Sequence, residues 1–215
     1  MKKKTIFVPE NEFRIIVLFQ MQKEEVIRGE IIEIAGKLFQ QYGFQKTTME
    51  DIAKAAGKGK STLYYYYANK NEVFEAVVSA EIEEVGNVVR KGIEAAGSPR
   101  EKFKVYVAIN FIEIRKKTIL YNLVCGEMKS NLTSLMYSLR DKFDSAELSM
   151  FKDILLEGIQ SGDFKSITIE DVDTIAHVIL SSLRGIEIDL FIENKIPGFE
   201  ERLDLVTDLL IRGLE

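Results

Sequence analysis

From Lys23 to the C-terminus, apolar residues recur at three- and four-residue intervals, and no stretch shows the strict alternation of a half-buried strand. Pro9, Pro99 and Pro197 are the only prolines, so long helices meet few enforced stops. This periodicity predicts an all-α fold of about nine helices, with no internal repeat or low-complexity segment. The clearest run is Glu24 to Tyr42, where Ile27, Ile31, Ile34, Ala35, Leu38 and Phe39 recur at helical spacing and Gly43 supplies the stop. Thr47 with Glu50 reads as a capping box opening a short helix to Ala56. Gly57 and Gly59 make a turn, and Lys60 to Tyr67 form another short helix. A fourth helix starts near Lys70 and passes Val73, Val77, Ile82 and Val85 toward Ile93. Ser98 as N-cap and Pro99 at the first helical position open the next one. Helical patterns follow at about 100–116, 118–130, 141–160, 168–193 and 199–213, with breaks at Gly162 and at 194–198 and a cap at Thr168 with Asp171.

A composition of 46% hydrophobic and 29% charged residues excludes disorder for most of the chain. One cysteine, Cys125, allows no internal disulfide and fits a reducing, cytoplasmic setting. With a single histidine, His177, no clustered zinc site can be written, so no metal or cofactor is expected. No apolar run reaches the roughly 18 residues of a membrane span. The opening MKKKTIFVPENEFRIIVLFQ starts like a secretory leader. Pro9, Glu10, Asn11, Glu12 and Arg14 break its apolar part, no small-residue cleavage site follows, and Met21 offers a second start. The net charge of −5 is unevenly spread: +2 over residues 1–21, zero over 22–75 and −7 over 76–215. A local basic surface in the first third is therefore compatible with an acidic chain.

That surface has a definite place. Between Ile52 and Asn71 lie four lysines, Lys54, Lys58, Lys60 and Lys70, and the run Tyr64 to Tyr67, with no acidic residue. Two short helices joined by a glycine turn behind a longer bracing helix are the elements of a helix-turn-helix. Ile52, Ala53, Ala56 and Leu63 would face a small three-helix core, Tyr67 would point inward, and Lys58, Lys60, Ser61, Tyr64 and Tyr65 would face out. Ammonium groups suit phosphates, hydroxyls donate to phosphate oxygens, and tyrosine offers a rigid apolar body with a polar tip. Four lysines alone would more often make a solvated face. The cap, the glycine turn and the bracing helix favour DNA.

The run from Arg28 to Val78 resembles the N-terminal domain of the tetracycline-repressor (TetR) family. The motifs are Ala35, Leu38 and Phe39; Tyr42 to Phe44; Thr47 to Ala53; Ala56 and Gly57; Ser61 to Tyr64; and Asn69 with Lys70. The resemblance implies a homodimeric repressor released from DNA by a small ligand. It also implies that Thr48, Tyr66 and Lys70 grip phosphates while Thr47 caps the second helix. Lys60, Ser61, Thr62 and Tyr64 would lie on the recognition helix, with Lys60 and Tyr64 touching bases. Lys58 departs from the family's apolar turn residue, so either its stem packs and its head snorkels or the turn is altered. Tyr67 replaces a common Phe. The DNA-contact set is thus Thr47, Thr48, Lys58, Lys60, Ser61, Thr62, Tyr64, Tyr65, Tyr66 and Lys70, within a reading domain at 23–72 that follows an extension at 1–22. Lys60→Ala should relax specificity, whereas Lys70→Ala should weaken all DNA alike.

Residues 73–215 would form a helical effector-binding and dimerisation domain, which the resemblance implies pairs through its last two helices. Val172, Ile175, Ile179, Leu183, Ile186 and Leu190 make one apolar face, and Leu180, Ile188 and Phe191 a second; Leu203, Val206 and Leu210 with Leu205 and Leu209 repeat the excess. Asn110 falls in line with Phe103, Val107 and Ile114, where an unpaired amide would cost about 1 to 3 kcal/mol, so it needs a partner or a ligand. Tyr106, Tyr121, Met128, Phe151 and His177 are further ligand candidates, each also readable as core. Nothing chooses among a drug, a fatty acyl chain, a bile-acid-like amphiphile and an aromatic metabolite. No nucleophile elbow, phosphate loop or metal cluster suggests an enzyme. A constitutive DNA-binding protein without effector is the alternative.

Overall fold

The computed structural model describes residues 10–117, 133–191 and 198–215. Among them are eight α-helices and no strand: α1 Glu10–Lys46, α2 Met49–Ala55, α3 Lys60–Tyr66, α4 Lys70–Ala95, α5 Pro99–Lys116, α6 Thr133–Ser161, α7 Val172–Phe191 and α8 Leu203–Arg212. Two short 3-10 segments precede α7 and α8. The all-α expectation holds, and the helix expected at 118–130 lies outside the described residues. α1 begins at Glu10, crossing the boundary expected after residue 22, because its Leu, Ile, Glu and Gln residues favour helix. α6 likewise starts eight residues before 141, where no Gly or Pro intervenes.

The chain divides into two compact units, residues 1–77 and 78–215. In the first, Ile31, Ala35 and Phe39 of α1 bury against Met49, Ile52 and Ala53 of α2, Leu63 of α3, and Val73, Phe74 and Val77 of α4. Phe39, Phe44 and Phe74 form a ring cluster with centroids 4.9 to 5.7 Å apart. At an apolar burial value of about 25 cal/mol per Å² such aromatics dominate a small core.

In the second unit α5 packs on α6 and α8, and α6 on α7. Phe151, fully buried, sits between Phe103 and Tyr106, each 5.1 Å away by ring centroid. Ser98 accepts from the Glu101 amide at 3.2 Å, capping α5 where the sequence places the cap. Asp171 accepts from the amide and hydroxyl of Thr168, both at 2.8 Å, again as expected. No described helix is long and apolar enough to cross a membrane.

Candidate nucleic-acid interface

The reading surface is built from the end of α1 onward. Gly43 takes φ 79°, a left-handed value that interrupts the helix and exposes its last carbonyls. Thr47 is drawn inside to meet them: it is 2% exposed, and its hydroxyl donates to the Gly43 carbonyl at 2.9 Å. The N-cap of α2 is therefore Thr48, one residue later than expected, and the box partner is Asp51 rather than Glu50. Thr48 Oγ1 accepts from the Asp51 amide at 3.2 Å, and Asp51 Oδ2 accepts from the Thr48 amide at 3.0 Å. The Thr48 hydroxyl also donates to Asp51 Oδ2 at 2.6 Å, and this bond with that from the Thr48 amide holds the Asp51 carboxyl below its ordinary range. Buried Thr47 presents no hydroxyl to a phosphate, whereas Thr48 is exposed.

The turn closes where expected, and of its two glycines Gly57 is the one the backbone requires. Gly57 has φ 63°, where a side chain would be strained, and the Lys58 amide donates to the Ala53 carbonyl at 2.9 Å. Lys58 leaves this turn intact: its side chain is 26% exposed, and its ammonium reaches Glu30 of α1 at 2.7 Å. Ala56 is half-buried rather than part of the core.

On α3, Leu63 is fully buried and Tyr67, just beyond it, is 5% exposed, as the helical spacing predicts. Lys60, Ser61, Tyr64 and Tyr65 are exposed, the last at 71%, and Thr62 and Tyr66 are half-buried. Lys60 pairs with Glu50 of α2, and its ammonium lies 5.9 Å from the Tyr64 ring. The Tyr65 hydroxyl donates to Glu24 at 3.3 Å. The sequence reading missed Arg28, which donates to the Tyr66 carbonyl at 3.3 Å and covers the Tyr66 and Tyr67 rings, closing the C-terminus of α3. Its signal was position: a cation three residues before Ile31, one turn from the buried stripe. At about 1.5 Å rise per residue, seven residues make a rod of about 10 Å, short enough to lie along a major groove about 12 Å wide.

Lys70, expected to grip phosphate, has partners within the chain. Its ammonium donates to the carbonyls of Phe44 at 2.7 Å, Thr47 at 2.8 Å and Gln45 at 3.4 Å, and sits 4.3 Å from the Phe44 ring. All three N–H donors serve the frayed end of α1, and burial depresses its pKa. Lys70→Met should therefore lower stability by about 1 to 2 kcal/mol, because carbonyls lose their donors. Urea unfolding followed by helicity measures this; unchanged stability with weaker DNA binding would restore the phosphate role. Asn69 opens α4, accepting from the Glu72 amide at 3.1 Å.

The ligand candidates scatter. Tyr121 and Met128 lie outside the described residues. His177 is exposed on α7, where it lines an open depression with Val178, Ser181 and Ser182. Tyr106, Asn110 and Phe151 are buried together, and Asn110 has a partner: the Tyr106 hydroxyl donates to Glu147 Oε1, and the Asn110 amide donates to the same oxygen at 2.8 Å. Arg184 of α7 completes the group, 2.7 Å from Asp144 and 3.8 Å from Glu147. Burial raises the Glu147 carboxyl above its ordinary range, against the pull of the Tyr106 hydroxyl and Arg184. Glu147 was legible as a carboxylate four residues before Phe151 on an apolar stripe.

Residues 31–77 match the family model for bacterial regulatory proteins, tetR family. The chain is 30% identical over 136 residues to the HTH-type transcriptional regulator YhgD of Bacillus subtilis, covering 63% of this chain and 70% of that one. It is 24% identical over 152 residues to the HTH-type transcriptional repressor KstR2 of Mycobacterium tuberculosis, covering 71% and 75%. Its fold is that of the B. subtilis transcriptional regulator FadR solved with stearoyl-CoA, at a TM-score of 0.68 and 21% identity over 86% of this chain and 98% of that one. A capped α2, a glycine turn and an exposed α3 in the matched segment agree with these similarities, and the chain belongs to the TetR family of transcriptional regulators.

Proposed function

We propose that the chain is a ligand-released repressor that binds a palindromic operator as a homodimer, each protomer laying α3 in a major groove. The observation that carries this reading is the outward face of α3, where Lys60, Ser61, Tyr64 and Tyr65 are all exposed above a core held by Leu63. Residues 23–72 do the reading. Thr48, Lys58, Thr62 and Tyr66 border that face and are the backbone-directed contacts. The two heads then sit about 34 to 36 Å apart, or a multiple of that, along the duplex.

Pairing through the last two helices is supported by what α7 and α8 leave uncovered. Leu180, expected on a second apolar face, is buried within its own protomer. The uncovered side of α7 is instead Thr174, His177, Val178, Ser181, Ser182 and Gly185, whose small residues allow another helix to approach closely. On α8, Leu205 and Leu209 are each 58% exposed. Residues 73–215 supply this pairing and the effector site. Stearoyl-CoA in the FadR structure favours an acyl chain among the effector classes. Such a ligand works only by binding one spacing of the heads better than the other, and α4 is one unbroken helix with residues in both compact units.

Selection of bound sequences from a random duplex library at two salt concentrations tests the reading. An enriched palindrome is the expected result; binding without enrichment would leave a constitutive or architectural DNA-binding protein. On the selected operator, Lys60→Ala should lose about 1 to 3 kcal/mol and relax preference at one base pair per half-site, measured by titration against single-base variants.

A further inference from the structure

The DNA-facing cations of this head do not stand alone. Lys60 is the first residue of α3 and 60% exposed, yet it is paired with Glu50 of α2, itself 56% exposed; Lys58 in the turn is paired with Glu30 of α1. Residues 22–75 carry no net charge, although random DNA binds proteins almost entirely through their positive charge. A reading head without net charge, whose Lys58 and Lys60 are already ion-paired, gives up most of that generic attraction.

An ammonium has three N–H donors. With one donor on Glu50, Lys60 keeps two for acceptors within reach of the start of α3, such as guanine O6 and N7. Moving the ammonium outward to a phosphate would break the pair and leave the Glu50 carboxylate beside a polyanion. The hydrogen bond between them favours the charged form of both groups, lowering Glu50 and raising Lys60. Glu50 is also fixed from below, since Met49 and Ile52 of the same helix are buried in the head's core.

Resting on the DNA-reading role of α3, we propose that Glu50 is a specificity-determining residue that holds Lys60 as a base-directed donor and withholds it from phosphates. Glu50 is thus a positioning residue, acting on DNA through Lys60. It discriminates by penalising the phosphate-bound arrangement of Lys60 that random DNA would use, while the base-bound arrangement retains the ion pair.

The test compares Glu50→Gln, Lys60→Ala and the double variant in the full chain. Each is titrated with the library-selected operator and with a random-sequence duplex of equal length across 50 to 200 mM salt. With Glu50→Gln, affinity for random DNA should rise about threefold or more at 50 mM and its salt slope should steepen by about 0.9 per reading head. Operator affinity should change less, so the specificity ratio falls, and the double variant should match Lys60→Ala. Equal shifts on both duplexes, or no shift on either, would overturn the role of Glu50 while Lys60→Ala still weakens the operator. If Lys60→Ala also leaves both duplexes unaffected, the DNA-reading role of Lys60 fails with it. Thermal unfolding verifies that each variant is folded; Glu50 and Lys60 are both exposed, so midpoints should stay near the parent value.

Discussion

Arg184→Met should destabilise the chain by about 3 kcal/mol at neutral pH, with the loss shrinking as the pH falls toward the ordinary carboxylate range. Removing one partner of a buried ion pair costs about 3 to 5 kcal/mol because the remaining charge is stranded. The lower figure applies because Arg184 is still 24% exposed. Glu147, the stranded group, has a side chain only 13% exposed and takes two neutral donors, from Tyr106 and Asn110, which cannot replace a cation. Its carboxyl is raised above the ordinary 4.5, chiefly by burial. The folded chain therefore keeps that proton at pH values where the unfolded chain has released it, and stability declines as the pH climbs from about 4.5 through the raised value. Removing the cation raises the folded value further, so the deficit of Arg184→Met grows over the same window. Glu147→Gln in the same chain should recover most of the loss, since its amide oxygen accepts from both donors without a charge. Urea titrations of the parent and the two variants from about pH 4.5 upward decide the matter. A deficit that is the same across this range, or one that Glu147→Gln does not relieve, would show that Arg184 acts through packing or through its closer pair with Asp144 rather than through Glu147.

Gly158→Ala should cost about 2 kcal/mol, although alanine is the better helix former. A Cβ at this position would lie 2.0 Å from Cδ2 and 2.3 Å from Cε2 of Phe164, a ring that is 2% exposed. The backbone cannot yield easily, because the Gly158 carbonyl accepts from the amides of Asp163 at 2.9 Å and Phe164 at 3.0 Å as α6 ends. The helix-propensity gain of about 1 kcal/mol is thus set against overpacking of about 1 to 3 kcal/mol plus distortion of those bonds. Phe164→Leu alone should destabilise by leaving a void, but combined with Gly158→Ala it should do less harm than the two effects added. Calorimetric unfolding of all four chains gives the coupling, and simple additivity would mean that the ring swings clear of the new methyl.

Much of the candidate site was legible because its signals are local. The stop at Gly43, the glycine turn at Gly57, the inward Leu63 and Tyr67 and the outward Lys60, Tyr64 and Tyr65 all follow from helical spacing and turn chemistry within a few residues. The caps at Ser98 and Thr168 are equally short-range. Errors arose where neighbouring residues of one type compete. Thr47 and Thr48 both satisfy the sequence pattern of a cap, and the choice went to Thr48 because the carbonyls freed at Gly43 needed a buried hydroxyl.

By itself, then, the sequence determined that this protein is helical, where its helices break, and which short helix turns a lysine- and tyrosine-rich face outward, since periodicity and turn residues act over one or two turns of chain. Tertiary structure alone decided what the charged groups do. Lys70 is 26 residues from Phe44, Arg28 is 38 from Tyr66, Asn110 is 37 from Glu147 and Arg184 is 40 from Asp144. No local pattern encodes these pairings. Each forms because folding brings a donor within reach of one particular acceptor, and where the group is buried, as at Asn110, leaving it unpaired costs more than ordering its partner.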